Sequence, residues 1–552
     1  MVMTMAETSN FIKTIMENDL KAGRVSKIVT RFPPEPNAYL HIGHVRAIMT
    51  DFDLADFYGG TTNLRFDDTN PTKEGEEFVQ GIQDDIAWLG YKPEHVCFGS
   101  DYFDETYKRC ILLIKKGLAY VDDQSAEEIS ATRGTLTEGG KDSPWRNRTI
   151  EENLDLFTRM KNGEFKDGEK VLRAKIDMKS PNINMRDPVL YRILHVSHQH
   201  TKDKWCIYPM YDIAHPLQDS IEGVTHSLCT IEFENHRPLY DWCIRECEMP
   251  HVSHQIEFGK LSITHVIMSK RYFKLMIEKG VASGFDDPRL PTLRGLRRRG
   301  YTPEALKTFV ADTGLSRINS ETPYEKLDYF LMEDLKLKTN RYNAVIHPLK
   351  VVITNYPEGQ IEYMDVPNNV ENETLGSHKI PFGREVYIEK ADFIETMPNR
   401  KWKRLAKDVE VRLMHAYFIK CNEVIKDKNG EIIELRCTYD PATKSGSGFE
   451  GRKPNGNIHF VEASTAISAE FRLFGPLLQD ETPENKDLPF EEKLNPNSLI
   501  KVMGYVEPTL KDAPIESKYQ FVRNGYYCVD TDSSLAKLVF NRICELKSSF
   551  KF

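Results

Sequence analysis

Two short clusters in this chain carry residue types that can act on a polyphosphate. His41-Ile42-Gly43-His44 sets two imidazoles around a glycine, where a strand-like run (Lys27 to Phe32) gives way to a helix-like run (His41 to Phe57). Donors at a helix N-terminus, beside a glycine that lets a ligand approach the main chain, suit a polyphosphate. Far downstream, Met268-Ser269-Lys270-Arg271 supplies a cation. Singly, each has a bland alternative: a helix start with two solvated imidazoles, and a surface lysine. Together and in that order they suggest donors and a cation set in advance for charge that builds on phosphate oxygens.

The elements around the first cluster read as a beta-alpha-beta unit. Asn63 to Phe66 is a second strand-like run, and the intervening helix stops near Gly59-Gly60. Such a unit implies a parallel sheet with a right-handed crossover. Phe78, Val79, Ile82, Ile86 and Leu89 recur at helical spacing and end at Gly90. Ligands of parallel sheets bind beyond the carboxyl ends of the strands, where Arg31, Asp67 and Asp68 lie. No Gly-x-Gly-x-x-Gly or Gly-x-x-x-x-Gly-Lys follows the first strand, which disfavours a dinucleotide site and a P-loop.

From about Tyr102 to Lys204 the periodicity changes and polar turns intervene, which reads as an inserted domain. Sheet-like sequence resumes over Trp205 to Asp212 and continues through Val224 to Glu232; after Lys270 the chain reads as helical, with Pro303 opening one helix. Beyond about Asn340 it reads as all-beta: Val351 to Ile353, Glu385 to Ile388 and Val409 to Leu413 are strand runs, Asn429-Gly430 is a hairpin signal, and Ser445 to Gly448 is a flexible loop.

A chain of 552 residues suggests three to five domains at roughly 150 residues each. With 40% hydrophobic and 28% charged residues it has a soluble globular composition. No run approaches the roughly 18 apolar residues of a membrane span, and no signal-peptide core is present, so a cytoplasmic protein is expected. Ten cysteines without a regular framework read as reduced thiols, Cys243 and Cys247 as core packing, and the lack of Cys-x-x-Cys predicts no zinc. A net charge of −9 argues against indiscriminate nucleic-acid binding but leaves room for local basic patches. Two stand out, Arg294 to Tyr301 and the run Arg400, Lys401, Trp402, Lys403, Arg404 and Lys407; for each the bland alternative is a solvated basic face.

The two opening clusters together resemble the signatures of class I aminoacyl-tRNA synthetases. Arg31 to His44, Leu64 to Pro71, Leu172 to Met178, Trp205 to Asp212, Gly223 to Phe233 and Val266 to Arg271 are similar to the glutamyl/glutaminyl branch, and within it to glutamine-specific members. The resemblance implies an α/β fold: a Rossmann-like catalytic domain (26–101 and 211–260) after an N-terminal helical segment (1–25), an inserted acceptor-stem-binding domain (102–210), a helical subdomain with the Met-Ser-Lys-Arg loop (261–339), and two β-barrel anticodon-binding domains (340–552). It implies ATP-dependent activation of L-glutamine to glutaminyl-adenylate and transfer to the 2′-OH of the terminal adenosine of tRNA(Gln). ATP with Mg2+ would enter as substrate, with no tightly bound cofactor and no zinc. The partners would be tRNA(Gln), L-glutamine and ATP, with no membrane, and the protein would be a monomer.

By the same resemblance His41, His44 and Lys270 are catalytic. Glu35, Pro36, Asn37, the run His41, Ile42, Gly43, His44, Val45, Arg46 and Ala47, then Thr230, Lys260, Leu261, Met268, Ser269 and Lys270 line the ATP site. Relatives often carry Arg where Lys260 stands, so the charge is kept and the bidentate fork lost. Asp67 is expected to bind the α-ammonium of the amino acid, Arg31 and Tyr211 to frame it, and Gln255 to act behind them through water. Cys229 is the sharper marker: glutamate-specific relatives tend to have Arg there, whereas a neutral thiol makes a second carboxylate unwelcome. A space-filling thiol is the bland alternative, and a glutamate-specific or non-discriminating enzyme is the alternative activity. Asn235 stands where an Asp often reads the acceptor stem. Arg341, Lys403, Arg404, Arg412 and Gln520 match anticodon-contacting positions, and Met414 stands where relatives can have Arg.

Overall fold

The computed structural model describes residues 4–7, 9–72, 75–399, 401–479, 489–548 and 550. Arg400 of the second basic run lies outside them. The chain forms two compact units, Met1–Ser262 with Val310–Thr322 and Ile263–Phe309 with Pro323–Phe552.

In the first unit, α1 (Phe11–Lys21) is followed by β1 (Val29–Phe32), α2 (Ile42–Phe57), β2 (Thr61–Phe66), α3 (Glu76–Trp88) and β3 (Val96–Phe98). The strands pair in parallel, Val29 opposite Thr61 and Leu64 opposite Val96. An antiparallel sheet in the order β4 (Ala119–Asp122), β5 (Val171–Ala174), β6 (Val189–Ile193), β7 (Ile207–Pro209) then packs with α4 (Phe103–Lys115) and α6 (Ile150–Lys161), while α5 (Ala126–Thr132) has no buried residue. Leu172, Leu190, Tyr191, Phe157 and Leu113 are wholly buried in its core, and Cys243 and Cys247 join the same cluster.

The sheet-like reading of Trp205 to Asp212 needs correcting. Only Ile207–Pro209 is strand, and it pairs antiparallel with β6, opposite Tyr191 to Ile193. From Tyr211 the chain is helical, α7 (Tyr211–Ile221), with Tyr211, His215 and Asp219 four residues apart and so on one face. The run thought to continue to Glu232 is β8 (His226–Thr230) alone, followed by a 3-10 turn over Ile231–His236. After α8 (Arg237–Glu246), β9 (His254–Phe258) pairs parallel to β8.

Thr225 joins the two groups of parallel strands. Its N–H donates to the Val29 carbonyl at 2.9 Å, and the Val29 N–H donates to Thr225 Oγ1 at 2.9 Å. The spatial order is therefore β3-β2-β1-β8-β9, with its topological switch point between β1 and β8. That crevice is where open α/β sheets hold ligands. Ile28, Leu54, Leu228, Ile256 and Phe258 form the core beneath, with Ile12 and Met16 of α1.

The second unit contains α9 (Lys270–Glu278), α10 (Leu293–Arg299) and α12 (Tyr324–Lys336); α11 (Pro303–Asp312) opens at the expected proline. Two seven-stranded sheets follow. One begins at Asn340–Tyr342 and ends at Ala344–Val345, so its edge strands are separated only by Asn343; the other begins at Asn457–Ile458 and ends at Val461–Glu462, two residues apart. Edges this close in the chain require each sheet to curl into a barrel. The barrels are nested: the chain starts the first, completes the second over 348–462, and returns to the first. The hairpin at Asn429-Gly430 joins Phe418–Lys426 to Ile432–Asp440, with Gly430 at φ 84°, a conformation that suits glycine.

Candidate functional site

At the start of α2, His41 is the N-cap, with extended backbone (φ −127°, ψ 170°). Its Nδ1 accepts the Gly43 N–H at 3.2 Å, and His44 Nδ1 accepts the His41 N–H at 3.0 Å. An imidazole nitrogen that accepts a backbone N–H carries no hydrogen, so each neutral ring holds its hydrogen on Nε2. The rings lie with centroids 3.8 Å apart, tilted by 40°. Ile42 and Val45 are buried, so the open face of the helix start comprises His41, Gly43, His44 and Ala47.

Arg46, expected among the ATP contacts, is 2% exposed and points elsewhere. Its Nη1 donates to the Gly259 carbonyl at 3.0 Å, and Nη2 to Thr313 Oγ1 at 2.7 Å and Ser320 Oγ at 3.1 Å. It thus fastens the segment before Lys260 and Leu261 to α2. Gly259 is required there, because a Cβ would lie 2.0 Å from the Ile318 carbonyl oxygen. Lys260 forms an exposed ion pair with Glu232, and Thr230 Oγ1 lies 3.4 Å from the same carboxylate. Among the turn residues Glu35, Pro36 and Asn37, the Asn37 N–H donates to the Glu35 carbonyl at 2.9 Å.

The amino-acid residues gather at the switch point. Asp67 follows the last residue of β2, its N–H bonded to the Pro34 carbonyl at 3.0 Å. Burial, with Glu35 adding to it, pushes its carboxyl up to about 6, against the opposing pull of Arg65. Tyr211 is the first residue of α7, its ring between His215 (4.9 Å) and Phe233 (5.1 Å), and burial holds its phenol protonated. Cys229 is the penultimate residue of β8; burial pushes its thiol up, so it is neutral.

Arg31 is completely buried. Its Nε pairs with Asp219 Oδ1 at 3.1 Å, Nη1 donates to the Leu228 carbonyl at 2.9 Å, and Nη2 lies 2.8 Å from both Ser227 Oγ and His215 Nε2. Arg65, also buried, reaches the same Asp219 oxygen at 2.7 Å, and the Tyr240 hydroxyl donates to Asp219 Oδ2 at 2.8 Å. The two guanidiniums hold Asp219 far below the usual carboxylate range despite burial, while desolvation holds His215 neutral. Arg65, His215, Asp219, Tyr240 and Phe233 escaped sequence reasoning. The four-residue spacing of Tyr211, His215 and Asp219 was the available signal, hidden by the strand reading of that stretch.

In the second unit, Ser269 is the N-cap of α9 and Lys270 its first residue, with Met268 partly exposed before them. A cation at the positive end of a helix is locally unfavourable, so helix stability does not account for it. Arg341 and Gln520, 179 positions apart in sequence, are direct partners on neighbouring parallel strands. Among the described residues Arg341 Nε and Gln520 Oε1 are each buried without a hydrogen-bond partner, while Arg341 Nη2 lies 3.4 Å from Glu371 Oε1. Lys403 is exposed, and Arg404 is 3.4 Å from Asp392 and bonded to the Ala391 carbonyl. Arg412 is tied into its own barrel, to the Thr443 carbonyl at 2.9 Å and Ser445 Oγ at 2.8 Å, with its guanidinium over Phe418. Asn235 is exposed in the 3-10 turn of the first unit, its carbonyl accepting from Asn182 Nδ2 at 2.8 Å. Among the described residues no group of three His, Cys, Asp or Glu is arranged to hold a metal, and no helix is long and apolar enough to cross a membrane.

Comparison with known proteins matches three family models in order. Residues 27–337 match the catalytic domain of class I tRNA synthetases (E and Q), and 339–440 and 457–530 match two anticodon-binding domains of the same group. The chain is 57% identical over 545 residues to a glutamine–tRNA ligase of Clostridium perfringens, covering 99% of each chain. It is 57% identical over 546 residues to one of Clostridioides difficile (99% and 98%) and 49% identical over 542 residues to one of Nitrobacter hamburgensis (98% and 97%).

Proposed function

The chain belongs to the class I tRNA synthetases of the glutamate and glutamine type, its activity is that of a glutamine–tRNA ligase, and on that premise we propose how its residues divide the work. In the first step the glutamine carboxylate oxygen bonds to the α-phosphorus of ATP as the α–β bridging bond breaks and pyrophosphate leaves. In the second, the 2′-OH of the terminal adenosine of tRNA(Gln) attacks the activated carbonyl and AMP leaves.

His41 and His44 donate from Nε2 to the phosphates; the support is that backbone N–H groups occupy both Nδ1 atoms. Lys270 neutralises charge as it develops, and Met268 and Ser269 shape its loop. Glu35, Pro36, Asn37, Thr230, Lys260 and Leu261 surround the nucleotide, with Lys260 exchanging Glu232 for a phosphate. Mg2+ travels with the nucleotide, held mainly by its phosphates. Asp67 takes the α-ammonium, Tyr211 orients the carboxamide, and neutral Cys229 leaves a second carboxylate uncompensated. Arg31 acts from beneath, as the buried base on which Ser227 and His215 stand. Asn235 meets the acceptor stem; Arg341, Gln520, Lys403, Arg404 and Arg412 meet the anticodon arm, the orphaned polar atoms of Arg341 and Gln520 being what a base edge would satisfy. The enzyme acts as a cytoplasmic monomer.

The observation that carries the substrate reading is the match to glutamine–tRNA ligases over 99% of both chains. ATP–pyrophosphate exchange, run with glutamine or glutamate and with or without tRNA, tests it. Glutamine-dependent exchange in the presence of tRNA is expected; no exchange under any condition contradicts the assignment.

A further inference from the structure

The Gln255 amide is fixed by its neighbours. Its Nε2 donates to Glu257 Oε1 at 2.9 Å and to the Phe233 carbonyl at 3.1 Å. Both partners only accept, one as a carboxylate and one as a main-chain carbonyl. A reversed amide would set its own carbonyl oxygen against two acceptors, so a single orientation fits. Oε1 is then on the far side of the amide, and among the described residues no donor reaches it.

Glu257 is itself held. Arg237 Nε donates to Glu257 Oε1 at 2.9 Å and Nη2 pairs with Oε2, a two-point contact. Gln255 and Glu257 are each 3% exposed. Register places Ser227 beside Gln255 and Cys229 beside Glu257, and alternate residues of a strand share a face. All four therefore line the face of β8 and β9 on which Ser227 meets Arg31.

We infer that Glu257, locked by Arg237, is a specificity-determining positioning residue. It holds the Gln255 amide so that an acceptor alone is turned toward the amino-acid side chain. An acceptor there, directly or through one water, takes an N–H of a carboxamide and repels a carboxylate. Discrimination between two nearly isosteric substrates is then built from the orientation of one amide, beside the neutral thiol of Cys229. The inference rests on the reading of glutamine as the substrate.

Glu257→Gln tests it, because the new amide can offer its own NH2 group and let the Gln255 amide turn over. Pyrophosphate exchange with tRNA present is measured with glutamine and with glutamate, for wild type and E257Q, together with KM for ATP and the unfolding midpoint. The ratio of kcat/KM for glutamine over glutamate is expected to fall about tenfold or more, the size of one misdirected hydrogen bond. The loss should be mostly in KM for glutamine, with KM for ATP within about twofold. A ratio unchanged within twofold in folded protein overturns the inference. So does an equal loss for both amino acids with a raised KM for ATP, which is what a purely structural ion pair would give. Should E257Q not fold, Arg237→Gln removes the lock from a side chain that is 37% exposed; a fall in the ratio supports the inference and an unchanged ratio overturns it. Failure of the substrate reading would be visible in the wild-type arm, as exchange that does not respond to glutamine, whereas failure of the inference appears only between wild type and variant.

Discussion

Asp67 is the residue whose environment makes the most direct statement about solution behaviour. Its carboxyl, pushed up to about 6 by burial and by Glu35, must be ionised to hold an α-ammonium. The free-enzyme value governs kcat/KM, so kcat/KM for glutamine should fall about tenfold per pH unit below 6 and level off above it. In kcat the break should lie at lower pH, because bound ammonium keeps the carboxylate charged. A kcat/KM profile flat from pH 5 to 7.5, after correction for enzyme stability, would remove Asp67 from this role. At this scale His41 and His44 stood out as a local motif, whereas Asp67, Tyr211 and Cys229 were given their roles only through the family resemblance. Arg31 and Arg46 were named too, but their burial was not legible. Each guanidinium bonds to partners more than 180 positions away, and nothing local in a sequence records such a partner.

At the scale of elements, Asp219 is the joint. It lies on α7 and ties β1, through Arg31, to β2, through Arg65, and to α8, through Tyr240. Removing its charge leaves the buried Arg31 without its carboxylate and Arg65 with Glu222 alone, at 3.3 Å, and breaking a buried pair costs about 3–5 kcal/mol. Asp219→Asn should lower the stability of the first unit by that amount at pH 7, read as a shift in its chemical-denaturation midpoint. A carboxyl depressed on folding contributes fully above its ordinary value of 3.8 and loses that contribution as pH falls toward the folded value. The gap between wild type and variant should therefore persist from pH 7 to 5 and narrow only below about 4; a variant as stable as wild type at pH 7 would show that the charge does not hold the joint. The same helix explains the misreading of Trp205 to Asp212. Trp205 to Pro209 is genuinely strand-like, but the run of aromatic and apolar residues crosses from β7 into α7 without a glycine to mark the change. Only the spacing of Tyr211, His215 and Asp219 separates the two. Strands β1 and β2 were legible because their β-branched and apolar runs flank a helix that ends near Gly59-Gly60, whereas the short β3 and β9 were not read.

Across the whole molecule, the all-beta character beyond Asn340 was legible from strand runs and the Asn429-Gly430 turn, whereas the nesting of one barrel inside the other was not. Strands 340–342 and 518–521 belong together through a pairing that spans the entire second barrel. That pairing brings Arg341 and Gln520 side by side with unsatisfied polar atoms, a juxtaposition no stretch of sequence displays. Catalytic unit and nested barrels together describe an enzyme that selects both an amino acid and an RNA. The most direct test offers purified protein equal concentrations of glutamine and glutamate with ATP, Mg2+ and tRNA(Gln), and identifies the amino acid esterified to the terminal adenosine. The account predicts glutaminyl-tRNA, with glutamate disfavoured by about 10⁴-fold in kcat/KM, as a site built on a specific hydrogen-bond pattern allows. Glutamyl-tRNA as the main product, or no esterified tRNA at all, would contradict it.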